Sequence, residues 1–336
     1  MAAYHNPHWP EAYDLWVEHL FGPGPYEDAA VFRNAFHGII RARGTRREEQ
    51  ETPATNEPIA VFDLGTGTGR VVQDLLAGIS RESEGGSGLS NAVGAPVFAW
   101  PLRFIGVEPS GPMLSRAERR TAPLVARVRQ LADDAKTRLD VAWLRGEASD
   151  FADRAESKAA ELSILHDGGG IVDLVIFAAG GFGHLVDDAE VKAFLEQARK
   201  ALKRNGRVTV SILHEFLVEE DELDEAQTVG SILEANRAGA GVGSGDAEPI
   251  RLKSLDHPGI AYVRYPSKKS WDGEVQRDEF ELGVVDQNGN ELYHELEWKN
   301  RITSARQWSE LVSAAELKIL ERIEGTIQTW WVLERK

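Results

Sequence analysis

The stretch VFDLGTGTGR, residues 61–70, decides how the rest of this chain is read. A short apolar run ends in an acid, Asp63, and passes into five positions where glycine alternates with threonine. An apolar run of this length, closed by a turn signal, reads as a buried strand. Glycines this close together remove Cβ atoms, so the backbone can turn tightly and a ligand can lie against it. The helical pattern RVVQDLLAG (70–78) follows at once. The unit is therefore strand, glycine turn, helix.

Working outward, the same alternation continues. IAVFDLG (59–65), LRFIGVEPS (102–110), VAWLRGEASDF (141–151), VDLVIFAAGGF (172–182) and RVTVSIL (207–213) read as strands, the last preceded by an Asn205-Gly206 turn. Helical patterns fill the intervals: after the glycine turn, from Gly111, through Lys158–Leu162, and from about Asp188 to Lys203. Residues 79–96 are rich in Gly and Ser and read as a loop insertion. Strands separated by helices predict an α/β fold with a doubly wound, mostly parallel sheet.

The flanks differ. Residues 8–41 carry apolar positions at helical spacing, with the turn FGPGPY between two helices, and polar residues 42–57 read as a linker. After the fifth strand, EFLVEEDELDEAQ reads as an acidic helix and residues 238–249 as a flexible loop. AYVRY, EVQRDEFELGVVD and NELYHELEWKNRIT then alternate as antiparallel strands, with Asn288-Gly289 as a hairpin turn. A helix over Ala305–Ala315 and two late strands close the chain. Of Trp330 and Trp331, adjacent on the last strand, one is expected in the core. Four parts result: a helical lid and linker (1–57), a ligand-binding α/β core (58–214), a helix plus β insertion covering the site (215–303), and a C-terminal helix with strands completing the sheet (304–336).

Composition narrows the partners. With 54 acidic against 38 basic residues the formal net charge is -16, which disfavours a phosphate backbone as ligand. No cysteine is present, which removes disulfides, thiolate nucleophiles and cysteine-based zinc sites. The opening MAAYHNPHWPEAYDLW has no basic-then-apolar export pattern, and no apolar run reaches membrane-spanning length. A cytoplasmic protein without a membrane partner is expected.

The ligand of the glycine turn is read by elimination and by resemblance. A dinucleotide fingerprint needs G-x-G-x-x-G/A. From Gly65 its last position is Arg70, and from Gly67 it is Val72. No Gly-Lys-Ser/Thr of a P-loop follows. The pattern present is acid-x-Gly-x-Gly-x-Gly, Asp63 to Gly69, and there the chain resembles the class I S-adenosylmethionine-dependent methyltransferases. The cofactor's methionine part carries an ammonium, which a carboxylate near the turn suits. The resemblance covers residues 59–213 and implies a seven-stranded Rossmann-like sheet. It implies that Asp63, Gly65, Thr66, Gly67 and Gly69 form the cofactor turn. Glu108 would hold the two ribose hydroxyls, a bidentate charge-assisted arrangement. Pro109 and Met113 would flank the adenine, Glu147 and Ala148 would contact it, and Ala178, Ala179 and Gly180 would lie under the sulfonium. S-adenosyl-L-methionine is the expected cofactor, with S-adenosyl-L-homocysteine as product and no metal.

Methyl transfer from a sulfonium is an in-line displacement, which asks chiefly for positioning of the nucleophile. A base is needed only where the nucleophile arrives protonated. His184, just past the fourth strand, is the candidate catalytic residue; a helix-capping or packing role is the alternative. Tyr13, Trp16, Phe182, His184 and Arg264 are candidate substrate contacts, with Tyr265, Trp271 and Arg277 as further insertion residues. The β insertion resembles the substrate-covering layer of small-molecule N-methyltransferases. The expected activity is methylation of an N or O nucleophile on a small metabolite. A protein methyltransferase, or a cofactor-binding scaffold without methylation, stays open. A nucleic-acid acceptor is disfavoured, because the end of the fourth strand carries no Pro-Pro-aromatic signature.

Overall fold

The structure is a computed structural model, and it describes residues 6–50, 57–83, 97–135, 137–158, 170–178, 180–219 and 248–336. β1 (Ile59–Leu64), β2 (Leu102–Glu108), β3 (Leu139–Arg145), β4 (Val172–Phe177) and β5 (Leu202–Leu213) pair in parallel. Two late strands, β13 (Leu317–Glu324) and β14 (Gln328–Arg335), complete a seven-stranded sheet ordered β13-β14-β5-β4-β1-β2-β3. Only β14 runs antiparallel to its neighbours. The sheet is mostly parallel and doubly wound, as the strand–helix alternation predicts.

Strands β1, β2 and β4 are buried along their whole length, and mostly apolar, because helices cover both faces. β1 shows the division. Ile59 and Val61 enter one core with Phe36 of α2 (Asp28–Gln50) and Leu76 of α3 (Arg70–Ser83). Phe62 and Leu64 enter the other with Phe194 of α6 (Asp188–Ala201) and Trp308 of α7 (Ala305–Ala314). Helix α4 (Gly111–Asp134) packs with α3; the short α5 (Phe151–Ser157) lies with α6. Among the described residues no helix is long and apolar enough to cross a membrane.

The second sheet contains β7 (Ile250–Lys253), β8 (Ala261–Arg264), β9 (Lys268–Asp272), β10 (Val275–Val285) and β11 (Glu291–Arg301). Its long hairpin turns at Asp286–Asn290, where Asp286 Oδ1 accepts from the backbone N–H of Asn288 and Asn290. A two-residue parallel ladder joins β6 (Leu217–Val218) to β12 (Thr303–Ser304), where the chain leaves and re-enters the first sheet. The helix α1 (Trp9–Phe21) lies against this second sheet through Trp9 and Ala12.

Several local expectations are corrected. Residues 42–50 continue α2 rather than forming a linker; Arg43 there donates to Glu57 O at 2.7 Å and to Asp173 at 3.2 Å, fastening the extension to the sheet. β3 stops at Arg145, because Glu147–Asp150 turn back, and α5 spans Phe151–Ser157 with Lys158 at its end; the rest of the helix expected through Lys158–Leu162 lies outside the described residues. Asn205-Gly206 lies inside β5, where the register against β4 slips. A Cβ on Gly206 would sit 2.9 Å from Val172 O, so glycine is needed for this close approach. The start of the expected acidic helix is a single turn at His214–Phe216 followed by β6; residues 220–247 lie outside the described residues. Trp330 and Trp331 are both buried, on opposite faces of the sheet.

Candidate active site

In an open α/β sheet, ligands bind beyond the carboxyl ends of the strands where the strand order reverses. Here that place lies between β1 and β4. Gly65, Gly67 and Gly69 all take positive φ (59°, 55° and 82°), which the turn after β1 requires. Gly69 is also hemmed in: a Cβ there would lie 3.0 Å from Ala117 Cβ and 3.2 Å from the Trp143 ring. Gly67 faces open space, its nearest neighbour to an added Cβ being Gly65 O at 3.9 Å.

Two carboxyl groups support this turn. Asp63 is 1% exposed; its Oδ2 accepts from Thr66 Oγ1 at 2.5 Å, while Oδ1 is buried without a partner among the described residues. Burial raises its pKa to about 7, against the opposing pull of the Thr66 hydrogen bond and Arg70. Glu108, at the end of β2, accepts from Ser110 N at 2.9 Å and Gly67 N at 3.1 Å. Burial raises it too to about 7, with the charge of Glu147 adding to the effect. Ser110 then caps α4 through Met113 N.

A cavity of about 2290 Å³ opens over the turn. Of the expected site residues, Tyr13, Trp16, Asp63, Gly65, Thr66, Gly67, Ala178, Gly180, His184 and Arg264 line it. Glu108 and Gly69 sit behind the turn, and Met113 packs against Trp9 and Ala12. Pro109 is half-buried, Glu147 exposed and Ala148 buried, all away from the cavity wall. Phe182 is 1% exposed, with its ring 4.9 Å from that of Trp308, on the core side of the strand end. Ala179 lies outside the described residues. Of the further insertion residues, Tyr265 donates to Glu291 at 2.8 Å, Arg277 pairs with Glu297, and Trp271 packs near Phe216.

His184 ends the single turn Gly181–His184 that follows β4. Its Nδ1 donates to Lys299 O of β11 at 2.8 Å, so in the neutral ring Nε2 carries the lone pair. Burial lowers its pKa below the ordinary value, against the Lys299 hydrogen bond. Tyr13 is raised to about 12, chiefly by burial, and stays a phenol. Arg264 lies over Trp16 at 4.4 Å and over Phe280 at 4.6 Å, and burial lowers its pKa.

The sequence reading did not reach several groups. Asp14 of α1 accepts from Thr68 Oγ1 (2.6 Å), Arg116 Nε (2.5 Å) and Arg120 Nη1 (2.5 Å), which ties α1 to the glycine turn and α4. Arg70 binds Asp28 through both nitrogens at 2.8 and 2.6 Å and lies 5.0 Å from the Tyr26 ring. These partners are far apart in sequence and leave no local signal. Gln276, Asp278, Trp298 and Asn300 of the second sheet also line the cavity. The period-2 alternation in VQRDEFEL was the signal available for two of them. Among the described residues, no group of three or more His, Asp or Glu side chains is placed to hold a metal ion.

An orphaned carboxylate oxygen beside an open glycine turn fits the ammonium-bearing end of S-adenosylmethionine. Comparison with known proteins agrees with the fold. No family model matches the chain. It is 23% identical over 312 residues to the N-methyltransferase FrzE of Cladobotryum sp, covering 91% of this chain and 87% of that protein. It superposes with a TM-score of 0.52 on an S-adenosylmethionine-dependent methyltransferase from Clostridium acetobutylicum, at 11% identity over 97% of this chain and 98% of that one. The sugar N-methyltransferase KedS8 from Streptoalloteichus sp gives 0.50, at 17% identity over 96% and 92%. The fold that the resemblance at Asp63 to Gly69 implies is thereby borne out: this chain has the fold of the class I S-adenosylmethionine-dependent methyltransferases.

Proposed function

We propose that this chain methylates the nitrogen of a small-molecule amine, with S-adenosylmethionine as donor. The observation that carries this reading is one continuous cavity. It runs from Asp63, Thr66 and Gly67 past His184 to the polar and aromatic wall of the second sheet. Its volume exceeds the roughly 300–1,000 Å³ of a one-ligand pocket, which suits a cofactor and an acceptor held together. The names of the two N-methyltransferases above favour nitrogen over oxygen.

Asp63, Thr66 and the turn backbone would hold the cofactor's amino-acid end. Ala178 and Gly180 line the cavity where the sulfur would lie, and Glu108 at the end of β2 would serve the ribose hydroxyls; Pro109, Met113, Glu147 and Ala148 stand off the cavity wall and are not assigned the adenine. When bound, the cofactor supplies a methyl group on a positively charged sulfur, and this chemistry needs no Lewis acid. His184 is fixed by Lys299 O, and its neutral ring offers Nε2 to hold the acceptor's N–H in line or to take its proton. Tyr13 and Trp16 of α1 close the cavity over the acceptor.

The test is incubation with methyl-labelled cofactor and a panel of small amines, including amino sugars. Labelled N-methyl product is expected, unaffected by chelators. His184→Ala should slow turnover about 10²–10⁴-fold while leaving S-adenosylhomocysteine affinity unchanged. His184→Asn separates orientation from proton transfer by keeping a hydrogen bond and removing basicity. Absence of methyl transfer to every amine, with cofactor bound, overturns the proposal.

A further inference from the structure

The wall of the cavity opposite the glycine turn changes character along its length. On β10, Gln276, Asp278, Phe280 and Leu282 share one face, and on β11 they stand opposite Asn300, Trp298, Leu296 and His294. The Phe280–Leu282 half packs on Trp9 of α1. The other half lines the cavity with Gln276, Asp278 and Asn300, which are only 6%, 7% and 8% exposed. Polar side chains buried in a sheet face cost stability unless something hydrogen-bonds them. A row of three beside a cavity therefore points to a polar ligand.

Asp278 is the charged member of the row. Its Oδ1 is buried and has no hydrogen-bond partner among the described residues. Its Oδ2 lies 3.9 Å from Arg264 Nη2, beyond hydrogen-bond distance. Arg264 is itself occupied by the Trp16 and Phe280 rings, and its own partner from the sheet comes no closer. The Trp298 indole stands directly across from Asp278, and Trp16 packs on it with ring centroids 5.2 Å apart. Glu215 lines the same region. A carboxylate oxygen that only accepts, set beside electron-rich rings, selects a cationic donor.

Resting on the methyltransferase reading, we propose that Asp278 anchors the acceptor, taking its amino group as an ammonium ion against Trp298, and that this contact selects amines over alcohols. The ammonium passes one proton to His184 Nε2 before transfer, which frees the lone pair that displaces the sulfur. Gln276 and Asn300, cross-strand partners next to it, then meet hydroxyl or carbonyl groups on the same acceptor. The anchor lies on the second sheet and the cofactor turn on the first, so each can fail alone.

The probes are cyclohexylamine and cyclohexanol, titrated by NMR into the full chain with and without S-adenosylhomocysteine. Wild type should bind the amine at least about tenfold tighter than the alcohol, as a charge-assisted contact gives. Asp278→Asn should abolish that preference with S-adenosylhomocysteine affinity unchanged. Asp278→Ser is read the same way should the first variant not fold. A preference that survives in both variants, or is absent from wild type, overturns the assignment. Failure of wild type to bind S-adenosylhomocysteine would instead strike the methyltransferase reading, and the amine titration without it still decides the role of Asp278.

Discussion

Asp63 and Glu108 are held out of water under the glycine turn, and burial raises both to about 7. The folded chain therefore keeps protons that the unfolded chain releases at lower pH. Their contribution to stability is full below the ordinary carboxylate range and is lost as pH rises to about 7. The melting temperature of the cofactor-free protein should fall between about pH 5 and about pH 7 from these two groups. A cofactor carrying positive charge prefers both carboxylates ionised. Its binding should release on the order of one proton near pH 6.5, and its affinity should rise with pH before levelling above about 7. Calorimetry in buffers of different ionisation enthalpy reads this directly, and binding heats independent of the buffer would contradict it. Tyr13, raised to about 12, adds nothing to that profile.

Helix α6 begins with a reciprocal cap. Asp187 Oδ1 accepts from Glu190 N at 2.9 Å, while the Glu190 carboxylate accepts from Asp187 N and Val186 N. Asp187→Ala should lower stability by about 1 kcal/mol, seen as a lower melting temperature with cofactor affinity intact. This element follows the strand end that carries His184, so the cap also fixes where that turn stops. β1, β2 and β4 were legible in the sequence, because strands covered on both faces carry long apolar runs. The tail of α2 was not legible: RARGTRREEQ is polar all round, and what fastens it is Arg43 reaching Asp173, far along the chain. β9 opens on the exposed Lys268 and Lys269 and lacks the apolar alternation that marks a strand, and β7, though Ile250 and Leu252 alternate with Arg251 and Lys253, is only four residues long. The same division holds at the site. Asp63, Thr66 and Gly67 announce themselves within one turn. The meeting of Trp16, Arg264 and Asp278 exists only once α1, β8 and β10 have come together.

Across the whole molecule, Trp330 and Trp331 bridge the two layers from adjacent positions on β14. Trp330 belongs to the core that holds Phe104 and Leu76, Trp331 to the one that holds Trp308 and Leu333. Each Trp→Phe change should cost about 1–3 kcal/mol. Because the two rings share no core, the double variant should lose the sum to within about 0.5 kcal/mol, and a coupling well above that in denaturant titrations would show the layers acting as one. A different property follows from the narrow neck at Leu217–Val218 and Thr303–Ser304. All the strands facing the acceptor hang between those two short segments, while the donor turn belongs to the sheet they leave. Descent can therefore act on the two at separate tempos. A lineage that changes the residues around Asp278 acquires a new acceptor without renegotiating its methyl donor, and recombination at the neck would transplant one specificity onto another member's framework in a single step.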